Sequence, residues 1–140
     1  MTSSPPPPHP TDRELEALKA LWNQGPLTVR EIQAFLREEG AELAYTTVLS
    51  LLQVMEQKGL VTHEAQGKTY RYAAAADRNA TLADLAHQFL ERLFDGAVDE
   101  YLLFGLAGRR LTPAAWRRLE DVLSQARRRR GPTRDRDALK

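Results

Sequence analysis

Residues 44–59, AYTTVLSLLQVMEQKG, decide how the rest of the chain is organised. At 3.6 residues per turn, Val48, Leu51, Leu52 and Met55 share one face of a helix, and Thr46, Ser50, Gln53 and Gln57 share the other. The apolar face has to be covered. The polar face carries hydroxyls and amides where a merely wetted helix usually carries Glu and Lys, and such groups can reach base edges and the thymine methyl in a major groove. An amphipathic helix with an uncharged outer side and no ligand satisfies the same pattern, so this segment alone leaves both readings open.

The flanking segments narrow the choice. Upstream, Thr11-Asp12-Arg13-Glu14 is a capping box, Leu15, Leu18 and Trp22 follow at helical spacing, and Gly25-Pro26 stops the run, which predicts a helix over 12–23. A second box, Thr28-Val29-Arg30-Glu31, opens a helix with Val29, Ile32, Phe35 and Leu36 as its buried stripe and Gly40 as its stop. Two helices joined by a short connection, the second presenting short polar side chains, form the pattern of a helix-turn-helix. Downstream of Gly59 the period changes to two: Leu60–Glu64 and Thr69–Ala73 favour strands, and the intervening Ala65-Gln66-Gly67-Lys68 holds the Gly that a hairpin turn needs. Helix, helix, helix, hairpin is the order of a winged helix. Its geometry would put Lys68 and Arg71 where a phosphate backbone passes, whereas Tyr70 and Tyr72 share a strand face and are expected to pack on the helices.

Composition excludes much else. The chain of 140 residues is 42% hydrophobic and 28% charged, enough for one domain or two small ones. It has no cysteine, and His9, His63 and His87 lack ligand spacing, so no metal or other cofactor is expected. No nucleophile, base and carboxylate constellation and no phosphate-binding Gly loop is present, so no enzyme is expected. No apolar run is long enough for membrane insertion, and the first ten residues, MTSSPPPPHP, lack the regions of a signal peptide, so a cytoplasmic location is expected. Residues 12–78 carry eight Lys or Arg against ten Asp or Glu, residues 79–126 five against seven, and residues 127–140 seven against two. An acidic winged helix is an awkward partner for phosphate, so any basic footprint must be local or lent by the tail.

In the second half, Thr81-Leu82-Ala83-Asp84 is expected to cap a helix whose stripe is Leu82, Leu85, Ala86, Phe89 and Leu93. Residues 96–107 supply Val98, Tyr101, Leu102, Leu103, Phe104 and Leu106. Thr112-Pro113 then opens a last helix carrying Trp116, Leu119, Val122 and Leu123. Three helices this short cannot hide so much apolar surface by themselves, and a symmetric homodimer is the commonest way to cover it. The expected dimer contacts are Leu85, Phe89, Leu93, Leu102, Leu103, Leu106, Trp116, Leu119 and Leu123.

The run from Leu43 to Tyr72 resembles the penicillinase-repressor family, the BlaI, MecI and CopY group of bacterial transcriptional repressors. The resemblance rests on Tyr45-Thr46-Thr47-Val48, on Lys58-Gly59-Leu60-Val61, and on Gly67, Lys68, Tyr70 and Tyr72 in the wing. It extends more loosely from about Thr11 to Gln125. It implies a homodimeric repressor of a palindromic double-stranded DNA operator, with Tyr45, Thr46, Thr47, Ser50, Gln53, Lys68 and Arg71 as its DNA contacts. Many members carry Arg where this chain has Val54. Many are relieved when a membrane-bound sensor metalloprotease causes their cleavage, and the bond between Leu103 and Phe104 occupies the matching place, although the Asn usual before the cut is Leu103 here. The copper-responsive cysteine motif of the CopY branch is absent.

The expected fold is mainly α with a small β-hairpin wing. A Pro-rich lead without structure (1–10) precedes a winged helix-turn-helix domain (11–78), a three-helix dimerisation domain (79–126) and a disordered basic tail (127–140). A winged helix that binds another protein within a larger assembly is the competing function.

Overall fold

Both capping boxes form. Thr11 Oγ1 accepts from the Glu14 amide at 3.2 Å while Glu14 Oε1 accepts from the Thr11 amide at 2.9 Å, and Thr28 and Glu31 repeat the arrangement at 3.2 and 2.9 Å. They open α1 (Asp12–Gln24) and α2 (Val29–Glu38) in the computed structural model, which describes residues 9–130. The expectations for residues 1–8 and 131–140 lie outside the described residues. α3 (Tyr45–Gln57) follows a six-residue connection, and the Gln33 side-chain amide secures that connection by donating to the Leu43 carbonyl at 2.8 Å.

The sheet has one strand more than the expected hairpin. β1 (Leu27–Thr28) pairs antiparallel with β3 (Thr69–Ala74), which pairs in turn with β2 (Val61–Gln66), giving the order β1-β3-β2. Two residues are too few to show a period, so β1 left no pattern in the sequence. The β2–β3 turn is tighter than the four residues 65–68: Ala65 and Gln66 belong to β2, and only Gly67 and Lys68 remain, with Gly67 at φ +63° supplying the positive φ of a two-residue loop.

The core lies within this half. Leu18 and Leu21 of α1, Ile32 and Leu36 of α2, and Val48, Leu52 and Met55 of α3 meet Val61 and Tyr72 of the sheet. Trp22 packs against the same cluster, and its indole N–H donates to the Ala76 carbonyl at 3.0 Å.

The remaining helices are α4 (Arg78–Phe94), α5 (Val98–Leu106) and α6 (Pro113–Arg130). Asp77, not Thr81, caps α4: its Oδ2 accepts from the Ala80 amide at 2.9 Å, so the helix starts three residues before the expected box. Thr112 does cap α6, accepting from the Ala115 amide at 3.1 Å. α6 also runs on through residues 127–130, which the sequence places in an unfolded tail. Like charges argue against a helix there, but Arg is a good helix former and cations suit a helix C-terminus, and these local preferences prevail. By compactness the chain divides after Leu93, so most of α4 groups with the winged helix and not with α5 and α6. No side chain of α4 or α5 is buried, and none of α6 is among the described residues.

Candidate nucleic-acid interface

α3 is held from three sides. Its inner face, Val48, Leu52 and Met55, is fully buried. Lys58, which closes the helix, reaches back to α1 and places its ammonium 2.8 and 3.1 Å from the two oxygens of Glu14. Glu56 meets His63 Nδ1 of β2 at 2.7 Å, tying the wing to the second half of the helix. The outer face is thereby fixed as a unit: Thr46, Thr47, Ser50, Gln53 and Gln57 are all exposed, and Tyr45 stands at its N-terminal end.

That end has two features suited to an anion. Ala44 provides no side-chain cap, so the first-turn amides of α3 keep the partial positive charge of a helix N-terminus. Arg30, exposed on α2, lies with its guanidinium carbon 5.0 Å from the centre of the Tyr45 ring. The sequence alone did not single out Arg30. Its one signal is that it follows a cap at the start of α2, and only the packing of α2 against α3 brings it beside Tyr45.

The wing bears out one expectation and corrects another. Tyr72 is anchored in the core at 2% exposure, and burial pushes its phenol above the ordinary value. Tyr70 is 50% exposed and stays outside the core cluster; it lies nearer the hairpin tip, where its ring meets His63 edge-on at 4.9 Å. Lys68 is exposed on the turn itself. Arg71 faces the other side of the sheet from Tyr72, where its guanidinium donates to Gln66 Oε1 at 2.7 Å and to the Pro26 carbonyl at 3.0 Å, with Glu31 at 3.9 Å. The hydrogen bond from the Thr28 amide outweighs an opposing effect of desolvation and, with lesser help from the Thr28 hydroxyl and Arg71, holds the Glu31 carboxyl below its ordinary value. Of the seven expected contacts, the structure therefore gathers Thr46, Thr47, Ser50 and Gln53 on one helix face with Tyr45 at its N-terminal end, leaves Lys68 open on the turn, and engages Arg71 in contacts that brace the wing.

Comparison with known proteins then decides the family: the profile of the penicillinase repressor matches residues 10–125. The chain belongs to the penicillinase repressor family. It is 24% identical over 123 residues to the penicillinase repressor of Bacillus licheniformis, covering 88% of this chain and 95% of that one. It is 35% identical over 75 residues to the transcriptional regulator BlaI of Mycobacterium tuberculosis (strain CDC 1551 / Oshkosh), a match over 53% of this chain and 54% of the other. Among solved structures it overlaps transcriptional regulator Tm0710 from Thermotoga maritima, at 17% identity and a TM-score of 0.44, over 93% of this chain and 80% of that chain. As a penicillinase repressor homologue the chain is a winged-helix transcriptional repressor and not an enzyme.

The apolar residues of this repressor's later helices stand largely in solvent. Of the expected dimer set, Phe89, Leu93, Leu103, Trp116 and Leu123 are exposed, and Leu85, Leu102, Leu106 and Leu119 are partly covered. Leu103 and Phe104, which flank the candidate cleavage bond, are each 69% exposed, and both lie inside α5. Phe94 packs against Tyr101 and Phe104, with ring centres 5.5 and 5.8 Å apart. Among the described residues no helix is long and apolar enough to cross a membrane, and no cluster of side chains could hold a metal ion.

Proposed function

We propose that the protein represses transcription as a homodimer on a two-fold symmetric DNA operator, each subunit laying the outer face of α3 in a major groove. The observation that carries this is the charge-free face of Thr46, Thr47, Ser50, Gln53 and Gln57, exposed on a helix whose other contacts are all fixed. Tyr45 and Arg30 stand where a phosphate would meet the uncapped end of α3, and Lys68 offers a second cation from the wing.

The dimer is supported by the exposed apolar side chains of α5 and α6. Each large apolar side chain is worth about 1.5–3 kcal/mol when fully removed from water, so a half-exposed one forgoes about 1 kcal/mol in a lone subunit. Leu103, Phe104, Trp116, Val122 and Leu123 together make a strong drive to associate. Two subunits then place two recognition helices on half-sites one helical turn or a multiple of it apart. Relief by a sensor metalloprotease belongs to the same proposal. A protease takes an extended segment, so cutting between Leu103 and Phe104 would first require the end of α5 to unwind.

The acidic balance of residues 12–78 favours a second reading, a winged helix that binds another protein. Salt separates the two: duplex binding should weaken steeply between about 50 and 200 mM salt, whereas an apolar protein contact should hardly change. Duplexes selected from a random pool by the full-length protein provide the operator probe. Thr46→Ala with Thr47→Ala should lose affinity for the selected duplex and keep the nonspecific binding. Equal affinity for the selected duplex after both changes would refute α3 as the reading helix.

A further inference from the structure

Glu56 is the one charged residue of α3, and it is turned to His63 at 2.7 Å. Lys58, next beyond the helix, is held by Glu14. The outer face therefore offers no cation to a base. Guanine is most often read by Arg or Lys donating to O6 and N7, and α3 carries neither residue. What the face does offer is the amides of Gln53 and Gln57, which match the N6 and N7 edge of adenine, and one large aliphatic side chain, Val54, standing 43% exposed beside them.

An aliphatic group on a hydroxyl and amide face is of no use to hydrogen bonding, and its exposure is unfavourable in the free protein. The one group in the major groove that would cover it is the 5-methyl of thymine. Val54 lies one helical turn from Ser50 and three residues from Gln57, within the same outward strip, so a groove that receives those residues receives Val54 as well.

Building on the DNA-binding proposal above, we infer that Val54 reads a thymine methyl in each half-site, and that the outer face of α3 selects A·T over G·C pairs where it meets the bases. A methyl removed from such a contact withdraws roughly one buried carbon, about 0.8 kcal/mol, which converts to about fourfold in affinity per half-site and about fifteenfold when both half-sites of a symmetric operator are altered.

The test uses the full-length protein and a duplex it selects from a random pool. Each thymine of the half-site is replaced in turn, on both half-sites together, by deoxyuridine, which removes only the methyl. One position should lower wild-type affinity by about fifteenfold. Val54→Ala should bind the unmodified duplex more weakly by a similar factor and be indifferent to deoxyuridine at that same position, while Val54→Ile should keep the sensitivity. Val54→Arg should move the preference at that position toward guanine. A Val54→Ala profile that matches the wild-type profile at every thymine overturns the inference, as does a selected half-site in which no methyl matters. Recovery of no duplex at all is a different result, which overturns the DNA-binding proposal and this inference with it.

Discussion

Lys58→Met should destabilise the winged helix far more than its surface position suggests, and a second substitution should restore much of the loss. Glu14 is 3% exposed and carries three contacts: the Thr11 amide at 2.9 Å and the Lys58 ammonium at 2.8 and 3.1 Å. Removing Lys58 leaves a carboxylate inside the protein with one donor. Stripping one partner from a buried ion pair typically costs about 3–5 kcal/mol. The Thr11 amide still serves Glu14, and the Lys58 side chain is 28% exposed, so water can enter from that side and the lower end, about 3 kcal/mol, applies. Against a total stability of about 5–15 kcal/mol this is a large fraction.

Glu14→Gln alone should cost less, about 1.5 kcal/mol, because the amide oxygen can still accept from Thr11 and the ammonium can turn to water. The double variant contains neither an unpaired buried charge nor an ion pair. It should be more stable than Lys58→Met by about 1–2 kcal/mol, although it carries one substitution more. Urea unfolding followed by circular dichroism measures all four proteins. If the two single losses add to within about 0.5 kcal/mol in the double variant, the pair contributes no coupling and the account of how α3 is fastened to α1 is wrong.

Arg30→Ala should weaken binding to specific and random duplexes alike and lower the slope of log affinity against log salt by about 1, as loss of one phosphate contact does; an unchanged slope places the guanidinium away from DNA. Leu103→Ala with Phe104→Ala should shift the subunit equilibrium toward monomers at least tenfold, read by sedimentation equilibrium, because each subunit loses the apolar surface of two side chains that are 69% exposed in the lone chain. The phenol of Tyr72, raised by burial, adds stability that is complete below pH 10.0 and is lost as pH climbs through its higher folded value. Urea midpoints should therefore fall above pH 10 in the wild type and fall less in Tyr72→Phe. Glu31 has the opposite sign: its lowered carboxyl adds stability present above 4.5 and lost as pH falls below it, so Glu31→Gln should flatten the acid limb of the same curve.

The parts of this fold that were legible in the sequence are those set by local chemistry. Thr11 with Glu14 and Thr28 with Glu31 announce their helices because both members of each box lie within one turn. Val48, Leu52 and Met55 announce the inner face of α3 by their period alone. What the sequence concealed depends on partners distant along the chain. Arg30 meets Tyr45 only because α2 and α3 pack together, and Arg71 is drawn to Pro26 only because β1 forms beside β3. Tyr70 and Tyr72 are indistinguishable by alternation, yet one is buried and the other half exposed. Strand period reports the face a residue lies on and says nothing of how far the helices extend beneath it.

The acidic balance of the winged helix has a consequence for the proposed complex. Of the four cations at the C-terminal end of α3, in the wing and at the start of α2, Lys58 is turned to Glu14 and Arg71 to the wing's own base, which leaves Arg30 and Lys68 at the edges of the reading face. Few phosphate contacts per half-site mean weak binding by a single subunit, since nonspecific affinity is supplied almost wholly by such contacts. Joining two weak sites on one rigid target raises the combined affinity about 10²–10⁴-fold without any new contact to DNA. Operator occupancy in this protein should therefore depend on pairing more steeply than in a repressor whose domain is basic. A change confined to the apolar side chains of α5 and α6 would release the operator while leaving every DNA-facing residue intact.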